Sequence, residues 1–191
     1  MSALSALGHL TRSLRVGEKA LILNQPDFQK LPETLQIRSS TFLDEQPIPI
    51  LYTVSGDDVS PPLEWSHVPM GTHELVLIVE DYDVPFPKTM VHLIAYGLPP
   101  TSSGLSEGAL PGRNAPARDP IPLLGRNGMG EERYDGPAAL PGHGTHHYVF
   151  QLFAVNEFLR FNHAPDKDEI VKAMLGHVVA TGRLTGTFER E

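Results

Sequence analysis

The sequence predicts a mainly β protein. Glycine and proline supply 35 of the 191 residues, about 18 % where roughly 12 % is usual. Three apolar runs of strand length, rich in β-branched and aromatic residues, follow one another after residue 70. A single later segment combines a helical apolar period with a cap. Many turns joining short strands account for that combination better than long helices do. The length fits one domain, large enough to bury a core without a disulfide or a structural metal.

Taken in order, Leu4, Leu7, Leu10 and Leu14 recur at three- and four-residue spacing with Arg12 and Arg15 between them. This predicts a short amphipathic helix, with Gly8 against it. Residues 1–30 are set apart as an amphipathic leader and 31–191 as the domain proper. The leader either packs on its own domain or supplies a contact in a homodimer. Two basic residues are too few for attachment to a membrane surface. Residues 35–54 mix short alternating stretches with Pro47 and Pro49, as edge strands do.

Leu75-Val76-Leu77-Ile78-Val79 is continuous and apolar, and predicts a central strand buried on both faces. Residues 91–98 and 148–155 predict two more core strands. Residues 101–141 are rich in Gly, Pro, Asn and Arg and show little periodicity. A loop of that length inside a domain is expected to frame a site. Within it, residues 125–130 (GRNGMG) lack the Lys-Ser/Thr of a phosphate loop and read as a turn. Residues 166–180 predict a helix, capped by Asp166 and Glu169, with Ile170, Val171, Met174, Leu175, Val178 and Val179 on its apolar face. The tail LTGTFERE alternates like a last edge strand.

Composition removes several functions. With no cysteine there is no thiolate nucleophile, redox pair or Cys-ligated zinc. A net charge of −8 excludes a general nucleic-acid surface, since phosphate backbones are held by clustered Lys and Arg. Any phosphate must be held locally. No apolar stretch approaches the ~20 residues of a membrane span, so stable membrane insertion is not expected. The first residues lack the charged and apolar regions of a signal peptide, which leaves the cytoplasm as the expected compartment.

Polar groups concentrate in two segments at strand ends: residues 80–85 (EDYDVP) with His92 beyond them, and residues 142–148 (GHGTHHY). A sheet fixes such residues while loops admit a ligand. Singly, each has a plainer explanation: Asp81 or Asp83 capping a turn, His92 as a neutral core imidazole with one partner. Together they offer chemistry. His143, His146 and His147 with Asp81 have the donor types of a zinc site, but HGTHH matches no defined ligand spacing. No GxSxG nominates a nucleophile. Imidazole N–H groups, the Tyr148 hydroxyl and amides near Gly142 and Gly144 can donate to phosphoryl oxygens. Asp81 can orient a neighbouring histidine or accept the proton of a monoanionic phosphate.

SPPLEW at residues 60–65, DYDVP at 81–85, HLIAYGLP from His92 and GHGTHHYVFQLFA at 142–154 resemble, in order and spacing, the phosphatidylethanolamine-binding protein family, and within it the bacterial, Raf kinase inhibitor-like branch. The likeness runs over roughly residues 35–190. It implies a β-fold of two sheets with a large central antiparallel sheet and a few peripheral helices. It also implies a small pocket for phosphate or a phosphorylated head group. The family's DPDAP motif falls on Asp81, Asp83 and Pro85, with Val84 at its alanine and Tyr82 at its first proline. Its strand histidine falls on His92. Its GxHRY motif falls on Gly144, His146 and Tyr148, with His147 at the arginine and Gly142 and His143 just ahead. Pocket walls are implied near Gly136 and Ala138. Ala139-Leu140 stand where the bacterial branch has Pro-Pro.

The favoured reading is a non-enzymatic binding protein without a cofactor. Its anion pocket would be built from Asp81, Asp83, Val84, Pro85, His92, Gly136, Gly142, His143, Gly144, His146 and Tyr148. A protein-interaction module that inhibits a kinase or protease through the pocket and the 101–141 loop is the second reading. A hydrolase or metal enzyme is the third.

Overall fold

In the computed structural model, which describes residues 2–113 and 122–191, the chain forms two sheets and two helices. β1 (Gln36–Arg38), β3 (Leu63–Ser66) and β6 (Gly104–Leu105) form an antiparallel sheet in the order β1-β3-β6. The larger sheet contains β2 (Gln46–Pro47), β4 (Glu74–Asp81), β5 (Met90–Leu98), β7 (Leu123–Leu124), β8 (His146–Val155) and β9 (Val178–Phe188), in the order β2-β9-β8-β4-β5-β7. Its neighbours are antiparallel except β2 and β9, which run parallel. The fold is mainly β, as predicted, with β1 and β2 at sheet edges.

β4 shows why a continuous apolar run suits a central strand. Leu75, Leu77 and Val79 point into a core shared with Ile37, Leu63 and Trp65 of the smaller sheet, while Val76 and Ile78 enter a second core on the other face. Period-two alternation sends neighbours to opposite faces, so both must be apolar. Each such side chain, fully buried, stabilises the fold by about 1.5–3 kcal/mol. Ile22, Leu23 and Phe28, from residues assigned to the leader, complete the second core with Ile170 and Met174.

Two predicted elements differ. The helix α2 covers Lys167–Met174 with its Asp166–Glu169 capping box, and ends well before residue 180. Gly176 adopts φ +78°, a left-handed turn that stops the helix, and the β-branched Val178 and Val179 open β9 instead. The tail is not an edge strand either: β9 pairs with β8 along its length and with β2 on its far side. Gly186, the partner of Gln46, permits this, because a Cβ there would lie 2.4 Å from Ile48 Cγ1.

The leader helix α1 (Ala3–Thr11) forms, but not with its leucines inward. Leu4, Leu7, Leu10 and Leu14 are exposed and Gly8 is buried. A Cβ on Gly8 would meet the Pro141 carbonyl oxygen at 2.0 Å, so the glycine that weakens the helical pattern is the contact that lets the helix lie down.

Beneath β4, the fully buried Glu80 accepts hydrogen bonds from Thr89, from Gln151 at 2.7 Å and from the Ile22 N–H at 3.2 Å, and pairs with Lys167. This ties α2 and residues 18–24 to the strand that carries Asp81. Replacing Lys167 with Met leaves a buried carboxylate without its cation, and should cost about 3 kcal/mol, read as a lowered urea midpoint by circular dichroism.

Candidate functional site

Three strand ends converge. Asp81 closes β4, and its register partners are Met90 of β5 and Tyr148 of β8. Between Val79/Leu93 and Glu80/Val91 the register slips, so His92 is the extra residue of a bulge. Bulges re-aim side chains beside functional sites; this one accounts for a histidine inside an otherwise apolar strand. His146 opens β8.

A cavity of about 340 Å³ lies over these ends. Of the predicted residues, Asp81, Val84, Pro85, His92 and His146 line it. Its other polar walls are Arg113, Asp135 and Arg190, and its apolar walls include Leu4, Phe86, Met90, Met129 and Ala138. Arg113, Met129 and Asp135 come from the 101–141 segment, which therefore frames the site over its described residues. A larger groove, about 580 Å³, runs over the smaller sheet at Gln36, Arg38 and Trp65. It holds none of the predicted residues, and its Arg38 is already bound to Glu64 through two nitrogens at 3.0 and 2.7 Å.

Asp81 does both jobs weighed for it. One oxygen accepts the Asp83 N–H at 2.7 Å, closing the turn, and the other accepts from His146 Nδ1 at 2.7 Å. His146 Nε2 meets His143 Nδ1 at 2.8 Å, and His143 Nε2 reaches the Thr11 carbonyl of the leader at 2.9 Å. These imidazoles are engaged with one another and with Asp81, and among the described residues no group of three or more His, Cys, Asp or Glu is placed to hold a metal. Burial first, then the neighbouring His146, pushes the His143 pKa down. His92 donates through Nδ1 to the Asp135 carbonyl at 2.7 Å, while its Nε2 is buried without a partner among the described residues.

The other predicted residues stand behind the wall. Asp83 pairs with Arg15 and accepts from both the N–H and Nδ1 of His147 at 2.7 Å. Tyr148 is fully buried; its hydroxyl accepts the Ala138 N–H at 3.1 Å and its ring meets His92 edge-on at 5.0 Å. Burial above all, with the nearby Asp81 charge, raises its pKa well above the ordinary value. The Gly136 N–H donates to Asp58 at 2.7 Å, and the Gly142 N–H to the Arg190 carbonyl at 2.9 Å, so neither amide is free. Gly142 and Gly144 hold φ +77° and +97°, conformations that let the loop pass under α1 and beneath Arg12 and Arg15. Sequence reasoning missed Arg15, Arg113, Asp135 and Arg190, each distant in the chain and outside any motif.

Residues 38–189 match the family model for phosphatidylethanolamine-binding protein. The chain belongs to the phosphatidylethanolamine-binding protein family. A UPF0098 protein of Pyrococcus horikoshii is 38 % identical over 154 residues, 80 % of this chain and 76 % of that one. One of Chlamydia trachomatis is 36 % identical over 162 residues, 82 % of this chain and all of the other. A crystal structure of a phosphatidylethanolamine-binding protein homologue from Chlamydia trachomatis superposes with TM-score 0.73 at 35 % identity, covering 83 % of this chain and 99 % of that one. The Escherichia coli family member YbcL gives the same TM-score at 23 % identity, over 83 % of this chain and 99 % of its own, a likeness of fold. Against the family motif, His147 stands at the arginine of HRY, and Asp83 is paired with Arg15 in the leader.

Tyr148→Phe removes the acceptor of the Ala138 N–H and should lower stability by about 1 kcal/mol in urea unfolding. For His143 the folded pKa lies below the ordinary ~6.5, so the unfolded chain binds the proton first. Stability should fall as the pH drops below about 6.5, read as melting temperature measured against pH.

Proposed function

We propose that this chain is a non-enzymatic binding protein, acting in the cytoplasm, whose cavity holds phosphate or a small phosphorylated head group. His92 Nε2 carries the reading. It is a buried polar atom without a partner among the described residues, at the wall of a cavity that also presents His146, Arg113 and Arg190. A buried polar group left unpaired costs about 1–3 kcal/mol, and a ligand that supplies the missing hydrogen bond recovers it. A neutral His92 accepts the proton of a monoanionic phosphate at Nε2; a protonated one donates to an ionised oxygen.

Charge selects the same ligand class. Arg113 is committed in part to Asp135, at 3.2 Å, so Arg190 and the imidazoles supply most of the attraction. Asp81 and Asp135 oppose a fully ionised dianion. The apolar walls at Leu4, Val84, Phe86 and Met129 suit a ligand with an apolar portion beside its anionic end.

Calorimetry with inorganic phosphate and with phosphoethanolamine tests this. His92→Ala should weaken binding at least about tenfold, the loss of one charge-assisted hydrogen bond. Equal affinity in the wild type and His92→Ala would overturn the assignment. Preference for phosphoethanolamine would favour a head group over free phosphate.

A further inference from the structure

We propose that the Thr11 carbonyl of the leader helix fixes the protonation of the cavity. By holding His143 as its Nε2–H tautomer, it makes His146 doubly protonated, so the buried Asp81–His146–His143 chain carries no net charge. Its consequence for ligands rests on the anion-binding reading; the proton assignment itself does not.

The inference follows from counting hydrogens. The contacts His143 Nε2 to Thr11 O (2.9 Å), His143 Nδ1 to His146 Nε2 (2.8 Å) and His146 Nδ1 to Asp81 Oδ2 (2.7 Å) form one continuous chain. Each needs one hydrogen. A backbone carbonyl only accepts, so His143 must donate at Nε2. Two neutral imidazoles and a carboxylate hold two hydrogens, one too few. The third sits on His146, on His143 or on Asp81. His143 is the poor choice, standing one ring further than His146 from the Asp81 carboxylate. Asp81 already accepts the Asp83 N–H on its other oxygen, as a carboxylate does, and imidazole is intrinsically the stronger base. The proton therefore belongs on His146, against Asp81, with both residues at the cavity wall.

Without the Thr11 carbonyl the count changes. His143 is then free to carry its hydrogen on Nδ1 and donate to His146 Nε2. His146 becomes neutral, and Asp81 faces the cavity as an uncompensated anion. The charged groups packed round this chain do not replace the missing proton. Arg15, which reaches the His143 carbonyl, is paired with Asp83. Tyr148, stacked 6.5 Å from His146, is neutral. Across the cavity stand His92, Arg190 and the Arg113–Asp135 pair. Thr11 lies outside the family-matched residues 38–189, so the device belongs to this chain's own leader.

The helix can be lifted without substituting any residue of the chain of contacts. A Cβ on Gly8 would lie 2.0 Å from the Pro141 carbonyl oxygen and 2.9 Å from the His143 nitrogen, so Gly8→Val separates α1 from the loop. Long-range proton–nitrogen NMR of the imidazoles, near neutral pH on the full-length protein, reads the tautomers directly. The wild type should show His146 protonated on both nitrogens and His143 on Nε2 alone. In Gly8→Val, His146 should turn neutral. Its affinity for inorganic phosphate should fall on the order of tenfold, as expected for one unit charge removed from a partly shielded site. His143→Leu, which removes the acceptor of His146 Nε2, should give the same neutral His146 and serves if Gly8→Val does not fold. A neutral His146 in the wild type overturns the proposal, as does a doubly protonated His146 in either folded variant. A wild type with protonated His146 that binds no phosphate overturns the anion-pocket reading and supports the proton assignment.

Discussion

The hydrogen bond between Asp81 and His146 is the constraint on which the site depends. It joins the last residue of β4 to the first of β8, two strands already paired along eight positions, so it sits at the rigid end of the sheet and not on a loose loop. Because β4 is buried on both faces, Asp81 cannot turn toward water. Its carboxylate must be satisfied within the protein, and the Asp83 N–H and His146 do so at 2.7 Å each. Removing either partner would leave a buried charge that costs several kcal/mol. The histidine orientation that a ligand meets is therefore a by-product of what the sheet requires for its own stability.

The same economy explains an anion site in a chain of net charge −8. No broad positive field is available, so each buried carboxylate near the cavity is matched individually. Asp83 has Arg15 and His147, Asp135 has Arg113 and Arg133, and Glu80 has Lys167. What remains for a ligand is a short set of polar groups, His92 and Arg190, in a cavity with mostly apolar walls. Such a site discriminates by geometry and proton count more than by long-range attraction.

Much of this was legible in the sequence, and the failures have physical causes. The two-faced β4 was readable because complete burial demands an unbroken apolar run. Asp81, Pro85, His92 and His146 were readable because polar residues at the ends of such runs need a reason. The bulge at His92 was not readable, since register depends on the partner strand. Nor were Arg15, Arg113 and Arg190: an arginine bound to a distant aspartate looks, in one dimension, like any surface arginine. The overlong helix came from treating Val178 and Val179 as helical at a three-residue period. Gly176 was the available signal that the chain turns there and that the period changes from helix to strand.

Gly8 is the most instructive misreading. By propensity it weakens the leader helix by about 1 kcal/mol relative to alanine, and by pattern the four leucines form a face to pack either on the domain or against a second copy. In the structure the leucines face outward and Gly8 makes the contact with the domain. Only a residue without a side chain lets the helix backbone approach the Pro141–His143 loop closely enough for the Thr11 carbonyl to meet His143 at 2.9 Å. A leucine face turned inward would hold the helix axis several ångströms further out, at ordinary 8–10 Å packing distance, beyond reach of that contact. The leucines stay exposed because the helix is seated by its backbone. The cost in helix propensity is offset where the leader touches the histidine pair behind the cavity.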